Sequence, residues 1–244
     1  MLIKKKIKYI QSLGQKKFRD YEKTFVAEGP KIVHDILVEA PSSINEIYAT
    51  HDWLEQNQEY SNQHNINLVT EQELGTISRL TTANKVLAVV KQFAAKQVID
   101  TDEIILALDA LQDPGNFGSI VRIADWFAIK QIVAGNLSAD IYNPKVVQAT
   151  MGSIARVTVF YRDLNEWLSH VKDVKIYATA LEGTDVTQME KINNGIILIG
   201  NESKGISDEL LSLAHVKITI PKKGKAESLN AAVATGITLS HLLR

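Results

Sequence analysis

The stretch IILIGNESKGIS, residues 196–207, decides how the C-terminal half of this chain is interpreted. A short apolar run leads into a turn whose glycines, Gly200 and Gly205, have the spacing of a phosphate-binding loop. In such a loop a lysine follows the second glycine and reaches the terminal phosphates of a nucleotide. Here that residue is Ile206, and Lys204 comes before the glycine. The stretch therefore predicts a buried strand with a glycine turn at its carboxyl end, and it argues against a nucleotide hydrolase.

The composition is typical of a globular protein that needs neither a membrane nor disulfides. Of 244 residues, 45% are hydrophobic and 23% are charged, and no apolar run approaches the roughly 20 residues of a membrane helix. The absence of cysteine excludes disulfides, thiolate ligands and cysteine nucleophiles, so a cytoplasmic location is expected. The scattered histidines form no H-x-x-x-H pair, and we expect no metal site.

Apolar runs alternate with helical patterns along the whole chain, which predicts an α/β protein. A polar joint, AAKQVIDTDE at residues 94–103, separates two such series and predicts domains at 1–98 and 102–244. The first series opens with a basic helix at about 3–24. The second opens with EIILALDAL at 103–111, whose nearly continuous apolar character is that of a buried parallel strand.

Positive charge is concentrated near the N-terminus. Residues 1–32 carry nine bases and three acids, a net charge of +6, whereas the remainder carries 18 bases and 25 acids, a net charge of −7. Such asymmetry indicates an anion-binding arm, and the alternative is a solvated helix face.

Three polar stretches follow predicted strands, where ligands bind in doubly wound sheets. They are LQDPGNFGSIVRIADWF (111–127), GNESKGIS (200–207) and ITIPKKGKAESLNAAVATGITLSHLL (218–243). In the first, helical spacing turns an apolar face to the core and leaves Arg122 on another side, although Arg122 could instead pair with Asp125 and Asn116 could merely cap the helix. In the second stretch, Glu202 either contacts a ligand at the carboxyl edge of the sheet or is a solvated acid in an ordinary turn.

The third stretch predicts a final helix capped by Ser228. Its buried side is predicted from helical spacing, and it comprises Leu229, Val233, Ile237 and Leu243. The alternative is that Ser228 is only a cap and Asn230 only a polar residue of the first turn.

In this order, the motifs NFGSIVR (116–122), GNESKGIS (200–207) and IPKKGKAESLNAAVA (220–234) resemble those of the SpoU (TrmH-type) RNA ribose 2′-O-methyltransferases of the SPOUT superfamily. The resemblance covers roughly residues 102–244 and implies an α/β domain with a deep trefoil knot. The preceding part is similar to a smaller α/β substrate-binding domain of ribosomal-protein type.

The resemblance implies S-adenosyl-L-methionine as the methyl donor and no metal. It assigns the cofactor to Thr179, Gly200, Ile220 and Leu229, and catalysis to Arg122, Asn116, Glu202, Ser228 and Asn230. Arg122 would help to deprotonate the ribose hydroxyl or would stabilise the developing oxyanion, and the other four would fix Arg122 and the ribose. The basic arm adds candidate RNA contacts: Lys4, Lys5, Lys6, Lys16, Lys17 and Arg19.

The resemblance also implies partners. We expect RNA, with ribosomal RNA favoured and transfer RNA as the alternative, and a homodimer through the catalytic domain. A non-catalytic RNA-binding protein that keeps the fold is a further alternative, which the retained polar motif residues disfavour.

Overall fold

A computed structural model describes residues 2–93 and 99–243 of the chain. The helices are α1 (Lys4–Ser12), α2 (Lys16–Glu22), α3 (Pro30–Glu39), α4 (His51–Gln56), α5 (Glu71–Ile77), α6 (Pro114–Trp126), α7 (Pro144–Thr150), α8 (Leu164–His170), α9 (Asp208–Leu213) and α10 (Ala231–Leu242). The strands are β1 (Thr24–Glu28), β2 (Ile44–Ala49), β3 (Ile66–Leu68), β4 (Val86–Lys91), β5 (Ile104–Leu108), β6 (Gln131–Gly135), β7 (Thr158–Arg162), β8 (Ile176–Asp185), β9 (Gly195–Ile199) and β10 (Val216–Thr219). The order of elements confirms the α/β prediction.

The chain divides into two compact units. The first unit is Met1–Ala94 with Asp140–Ala155, and the second unit is Ala95–Ala139 with Arg156–Arg244. A segment from the middle of the chain, containing α7, thus belongs with the N-terminal elements. Residues 94–98 of the predicted joint lie outside the described residues, and the boundary between 98 and 102 stays a prediction.

The first unit is built on a four-stranded sheet of order β1-β4-β2-β3. Strand β4 is antiparallel to β1 and β2, and β2 is parallel to β3. The middle segment is fixed to this unit by a buried ion pair, in which Arg19 Nη2 lies 2.6 Å from Asp140 Oδ2, and by the ring of Tyr142, whose centroid lies 4.8 Å from that of Phe25.

The basic N-terminal helix predicted at 3–24 is two helices, α1 and α2, because a turn at residues 13–15 interrupts it. Leu13 is buried in the core, and Gly14 lies so close to the Arg79 side chain that a Cβ on it would sit 2.2 Å from Arg79 Nη2. The apolar spacing is the same on both sides of this turn, so periodicity alone did not reveal it.

The second unit contains a six-stranded sheet of order β10-β8-β9-β5-β6-β7, in which every neighbouring pair is parallel. All five residues of β5 and of β9 are buried, as their continuous apolar runs predict. Strand β8 lies between β10 and β9, and all three are parallel, so the segments that follow them lie at one edge of the sheet. The trefoil knot implied by the resemblance stays a prediction.

The last helix begins later than predicted. Its N-cap is Asn230, whose Oδ1 accepts hydrogen bonds from the amides of Ala232 at 3.0 Å and Val233 at 3.2 Å, so the prediction of Ser228 as cap is wrong. The predicted buried side is also wrong, because Leu229 and Val233 are 47% and 52% exposed. The buried residues are instead Ala231, Ala232, Thr235, Thr238, Leu239 and Leu242. A helix that is apolar on all sides gives helical spacing no face to select.

Within the described residues, none of the helices has the length and apolar character that crossing a membrane requires.

Candidate functional site

Three of the four predicted cofactor residues lie at the carboxyl edge of the second unit's sheet, on or directly after three neighbouring strands. Thr179 lies on β8 just past its register with β9, Gly200 directly follows β9, and Ile220 directly follows β10. The Thr179 hydroxyl donates a hydrogen bond to the carbonyl of Leu198 at 3.0 Å, which ties β8 to β9 at this edge. Ligands of open α/β sheets bind beyond this end of the strands.

The glycine turn, residues 200–207, is closed by its own hydrogen bonds. Asn201 and Gly205 exchange two backbone bonds of 2.9 Å, and Asn201 Oδ1 accepts from the amides of Ser203 at 2.9 Å and Lys204 at 3.2 Å. Gly205 adopts φ +70°, which favours glycine. A Cβ on Gly200 would lie 2.3 Å from the carbonyl carbon of Gly205, so this position admits no side chain.

These bonds explain why the turn is not a phosphate-binding loop. Such a loop offers several free amides to an anion, whereas the amides of Ser203, Lys204 and Gly205 are already engaged. Ile206, which stands where the lysine would be needed, is buried and packs in the same core cluster as Leu210. The position that would carry the charge therefore anchors the turn to the hydrophobic core.

One polar residue from each of the three motifs joins a single hydrogen-bond chain. Asn116 Nδ2 donates to Glu202 Oε1 at 2.8 Å, and Asn230 Nδ2 donates to Asn116 Oδ1 at 2.7 Å. Asn230 Oδ1 in turn accepts the first amides of α10, so every amide nitrogen and oxygen in the chain has a complementary partner. The alternative that Asn116 merely caps α6 is wrong, because the cap is Asp113, whose Oδ1 accepts from the Asn116 amide at 2.7 Å.

Arg122 and Ser228 are not part of this chain. Arg122 is exposed on α6, and the alternative pairing with Asp125 is not formed, because Asp125 Oδ2 lies 2.7 Å from Arg156 Nη2. Among residues 2–93 and 99–243 no hydrogen bond or ion pair reaches the side chain of Arg122, and the exposed side chain of Ser228 is likewise unbonded there. Their side chains are thus available to a ligand.

Every residue from Pro221 to Asn230, in the segment that leads from β10 to α10, is exposed. Leu229, the fourth predicted cofactor residue, lies in it immediately before the cap of α10. Lys222, Lys223 and Lys225 make the same segment strongly basic, so it presents both apolar and positively charged groups beside the hydrogen-bond chain.

The predicted RNA contacts of the first unit differ in accessibility. Lys4, Lys5, Lys16 and Lys17 are exposed. Lys6 Nζ lies 2.7 Å from Glu46 Oε1, and Lys16 Nζ lies 2.9 Å from Asp20 Oδ2.

The prediction that Arg19 contacts RNA is wrong. Arg19 is only 2% exposed, pairs with Asp140, and donates from Nη1 to the Leu13 carbonyl at 2.9 Å. A buried guanidinium needs such partners, and this one has a structural role.

The Glu46 carboxyl shows how Lys6 is held. Burial raises its pKa, but the hydrogen bonds from Lys6 and Tyr48 and the positive charge of Lys6 outweigh burial, so the pKa of Glu46 lies below its usual value. The neighbouring lysines of α1 have no such carboxylate partner within the described residues.

Asn201 is a functional candidate that the sequence analysis left out of the predicted site. Its side chain shapes the glycine turn from inside and donates from Nδ2 to the Ala110 carbonyl at 2.8 Å. The signal was present, since Asn directly after a strand-ending glycine is a typical turn former that bonds to amides two residues on.

A possible metal-binding group lies in the first unit. His51, Asp52 and Glu55 of α4 place potential ligand atoms within 4.8 Å of one another, and all three are exposed. Exposed acidic groups of this kind are common without an ion, and the group contains none of the predicted site residues.

Comparison with family models identifies both parts of the chain. Residues 103–240 match the SpoU rRNA Methylase family, and residues 4–88 match the MRM3-like substrate binding domain. The 23S rRNA (guanosine(2553)-2′-O)-methyltransferase RlmP of Bacillus subtilis is 30% identical over 240 residues, which cover 97% of this chain and 95% of that protein.

Solved structures give the same result. A putative RNA methyltransferase of the TrmH family from Porphyromonas gingivalis superposes with a TM-score of 0.88 at 33% identity, covering 100% of this chain and 98% of that one. The AdoMet-bound rRNA methyltransferase from Sinorhizobium meliloti superposes with a TM-score of 0.86 at 30% identity, covering 99% and 95%. With three motifs at one sheet edge and matches along the whole chain, this protein belongs to the SpoU rRNA methylase family.

Proposed function

We propose that this protein transfers a methyl group from S-adenosylmethionine to a ribose 2′-hydroxyl of ribosomal RNA. The observation that carries the proposal is the hydrogen-bond chain Glu202–Asn116–Asn230, which joins the three motifs beside the glycine turn. RlmP of Bacillus subtilis, similar over nearly its whole length, is named for this reaction on 23S rRNA.

The residues at the sheet edge fit this methyl donor. Several amides of the glycine turn are already engaged, which suits a ligand without phosphates. Ile220 and Leu229 offer apolar surface of the kind an adenine ring contacts. Glu202 adds negative charge, which is the sign that favours a sulfonium. We assign the holding of the cofactor to these residues with Thr179 and Gly200, and the cofactor supplies an electrophilic methyl group when it is bound.

The protein must position the ribose hydroxyl and accommodate the charge that develops on its oxygen. Arg122 suits the second task, because a guanidinium keeps its proton to about pH 12 and its donors can stabilise an oxyanion or orient the neighbouring phosphate. A role of Arg122 as the base is the alternative. The chain from Asn230 to Glu202 fixes the surrounding polar groups, and alignment of the reacting atoms supplies much of the rate. Ser228 is proposed as a further ribose contact.

The substrate proposal follows from the first unit and from the relatives. Residues 4–88 match a substrate-binding domain, and the exposed Lys4, Lys5 and Lys17 offer phosphate contacts. Transfer RNA stays the alternative substrate. The protein is proposed to act in the cytoplasm.

A homodimer through the second unit is part of the proposal. Helices α6 and α10 pack on each other, yet Trp126 on α6 is 85% exposed and Val233 on α10 is 52% exposed. Large apolar side chains exposed on paired helices are typical of an interface. The unpaired Arg122 lies on the same helix as Trp126, so a partner subunit would meet the candidate catalytic residue.

The test is methyl transfer from S-adenosylmethionine to RNA of a strain that lacks the gene, with mapping of the 2′-O-methylated nucleotide. Methylation of ribosomal RNA by the wild-type protein, and its loss in Arg122→Ala, is the expected result. Methylation of transfer RNA alone would show that transfer RNA, and not ribosomal RNA, is the substrate. Binding of RNA without any methylation would establish the non-catalytic alternative.

A further inference from the structure

Two consecutive residues at the end of β5 hold both limbs of the glycine turn. The Ala110 carbonyl accepts a hydrogen bond from Asn201 Nδ2 at 2.8 Å, on the limb that leaves β9. Asp109 Oδ2 accepts one from the Ser207 amide at 2.8 Å, on the limb that enters α9. The Asp109 amide also donates to the carbonyl of Ile199, the last residue of β9, at 2.9 Å.

The backbone at this point is strained, which supports a specific role. Ala110 has φ +48°, in the left-handed region that disfavours residues with a Cβ. In this conformation consecutive polar groups, the Asp109 carboxylate and the Ala110 carbonyl, both bond to the same neighbouring turn. An extended continuation of β5 would send successive residues to opposite faces of the sheet.

We propose that Asp109 is a positioning residue for the methyl donor, acting through the Ser207 amide on the glycine turn. This rests on the proposed function, in which that turn holds S-adenosylmethionine. The internal bonds of the turn set its shape, and the bonds from Asp109 and Ala110 set its place at the sheet edge. The acceptor of the bond from Ser207 is a carboxylate oxygen of Asp109.

Removal of this bond should weaken cofactor binding more than it lowers the stability of the fold. Ile206 and Leu210 anchor the segment in the core through apolar packing that does not involve Asp109. A turn with one limb released keeps its anchor but loses its fixed position, so the lost free energy appears as weaker cofactor binding. At saturating cofactor, turnover should stay close to that of the wild type.

On the donor side, one substitution removes the amide hydrogen of this bond. Ser207 has φ −60°, which proline adopts without strain, and its side chain makes no capping bond to α9. Ser207→Pro therefore removes the amide hydrogen, and Ser207→Ala is its matched control. On the acceptor side Asp109→Ala removes the acceptor, whereas Asp109→Asn keeps an acceptor oxygen.

A charge control lies in the same cleft. Asp163 lines, together with Asp109, Arg162 and Ser207, a cleft beyond β5, β6 and β7, and its Oδ1 caps α8 through the Glu166 amide at 3.0 Å. Asp163→Asn removes a negative charge from this cleft, keeps the cap, and touches no residue of the glycine turn.

The experiment is calorimetry with S-adenosylmethionine and S-adenosylhomocysteine on the wild type, the five single variants and the double variant Asp109→Ala/Ser207→Pro. KM and kcat for the cofactor and thermal unfolding without ligand are measured on the same proteins. We expect Asp109→Ala and Ser207→Pro to weaken cofactor binding about tenfold, and the double variant to be no worse than either alone. Asp109→Asn, Ser207→Ala and Asp163→Asn should stay within about threefold of the wild type.

Several outcomes would overturn the proposal. Wild-type affinity in Asp109→Ala, an equal loss in Asp109→Asn, or an equal loss in Asp163→Asn would each do so, as would a fall in kcat without a rise in KM. If Asp109→Ala does not fold, the test is the cofactor affinity of Ser207→Pro compared with that of Ser207→Ala, and equal affinities would overturn the proposal. Failure of the wild-type protein to bind either ligand would instead remove the proposed function.

Discussion

The two loops that form the candidate cofactor edge are constructed in opposite ways. In the glycine turn at 200–207 the amides of Ser203, Lys204 and Gly205 are bonded within the turn, and the side chain of Ile206 is buried. The basic segment at 221–230 is exposed throughout, and within the described residues its first hydrogen bonds are those of Asn230. One half of the site is therefore shaped before any ligand arrives, while the other keeps its polar groups available for one.

The largest effect is expected for a residue of α6, outside both loops, and it tests whether the catalytic group lies there. Arg122→Ala should lower the rate of methyl transfer by about 10²- to 10³-fold, because a donor to the developing charge is lost. Cofactor affinity should stay within a few-fold, since Arg122 is not in either loop.

Single-turnover kinetics and calorimetry on the same protein measure the two quantities, with Arg122→Lys to separate charge from guanidinium geometry. Loss of cofactor binding in a folded Arg122→Ala protein would place the residue in the cofactor site instead.

A glycine pair tests the contrast between the loops directly. Gly200→Ala forces a Cβ to 2.3 Å from the Gly205 carbonyl carbon, whereas nothing lies within 4 Å of a Cβ on Gly224. We expect Gly200→Ala to weaken S-adenosylhomocysteine binding at least about tenfold and to lower the unfolding temperature, because backbone must shift. Gly224→Ala should change neither quantity measurably, and equal effects of the two substitutions would end the comparison.

The apolar face of α6 and α10 gives the next effect. Trp126→Glu combined with Val233→Glu should convert a dimer to a monomer in sedimentation at micromolar concentration, since a buried unpaired carboxylate opposes association. Leu137→Glu is the matched control, because Leu137 is also exposed and lies outside both helices. A wild-type monomer, or dissociation by the control alone, would contradict the proposed interface.

The smallest effect compares the basic segment with the basic helix α1. Replacing Lys222, Lys223 and Lys225 by Gln should weaken RNA binding and lower the slope of log affinity against log salt by about 0.7–0.9 for each lost phosphate contact. Replacing Lys4 and Lys5 by Gln should do the same for two contacts. Unchanged slopes in either protein would mark those lysines as solvated surface, and cofactor affinity should be unchanged in both.

The elements of the fold were predictable where burial leaves no choice. Strands β5 and β9 are buried on both faces, and their continuous apolar runs identify them without ambiguity. Helix α10 was misjudged in its start and its buried face, because it is apolar around its circumference and both Ser228 and Asn230 are good caps. Packing against α6 selects the face, and that contact is not visible in local spacing.

The sequence predicted the candidate site as a set of residues, and it did not predict how they are arranged. Motif order brought Asn116, Glu202 and Asn230 into the prediction, but the partners within the chain depend on a sheet order that the sequence does not state. The prediction that Arg19 contacts RNA was wrong for the same reason. The partner of Arg19, Asp140, lies 121 positions away, and charge alone cannot distinguish a buried arginine from a solvent-exposed one.

The middle segment, Asp140–Ala155, has a consequence for the order of events during synthesis. Arg19 and Phe25 obtain Asp140 and Tyr142 as neighbours only after β5, α6 and β6 of the second unit have been translated. Domains usually fold as units from the N-terminus as the chain emerges from the ribosome. In this protein the contacts of Arg19 and β1 with the middle segment form only when residue 155 has left the exit tunnel. A nascent chain that stalls before this point therefore lacks the ion-pair partner of Arg19 and the packing of α7 on β1.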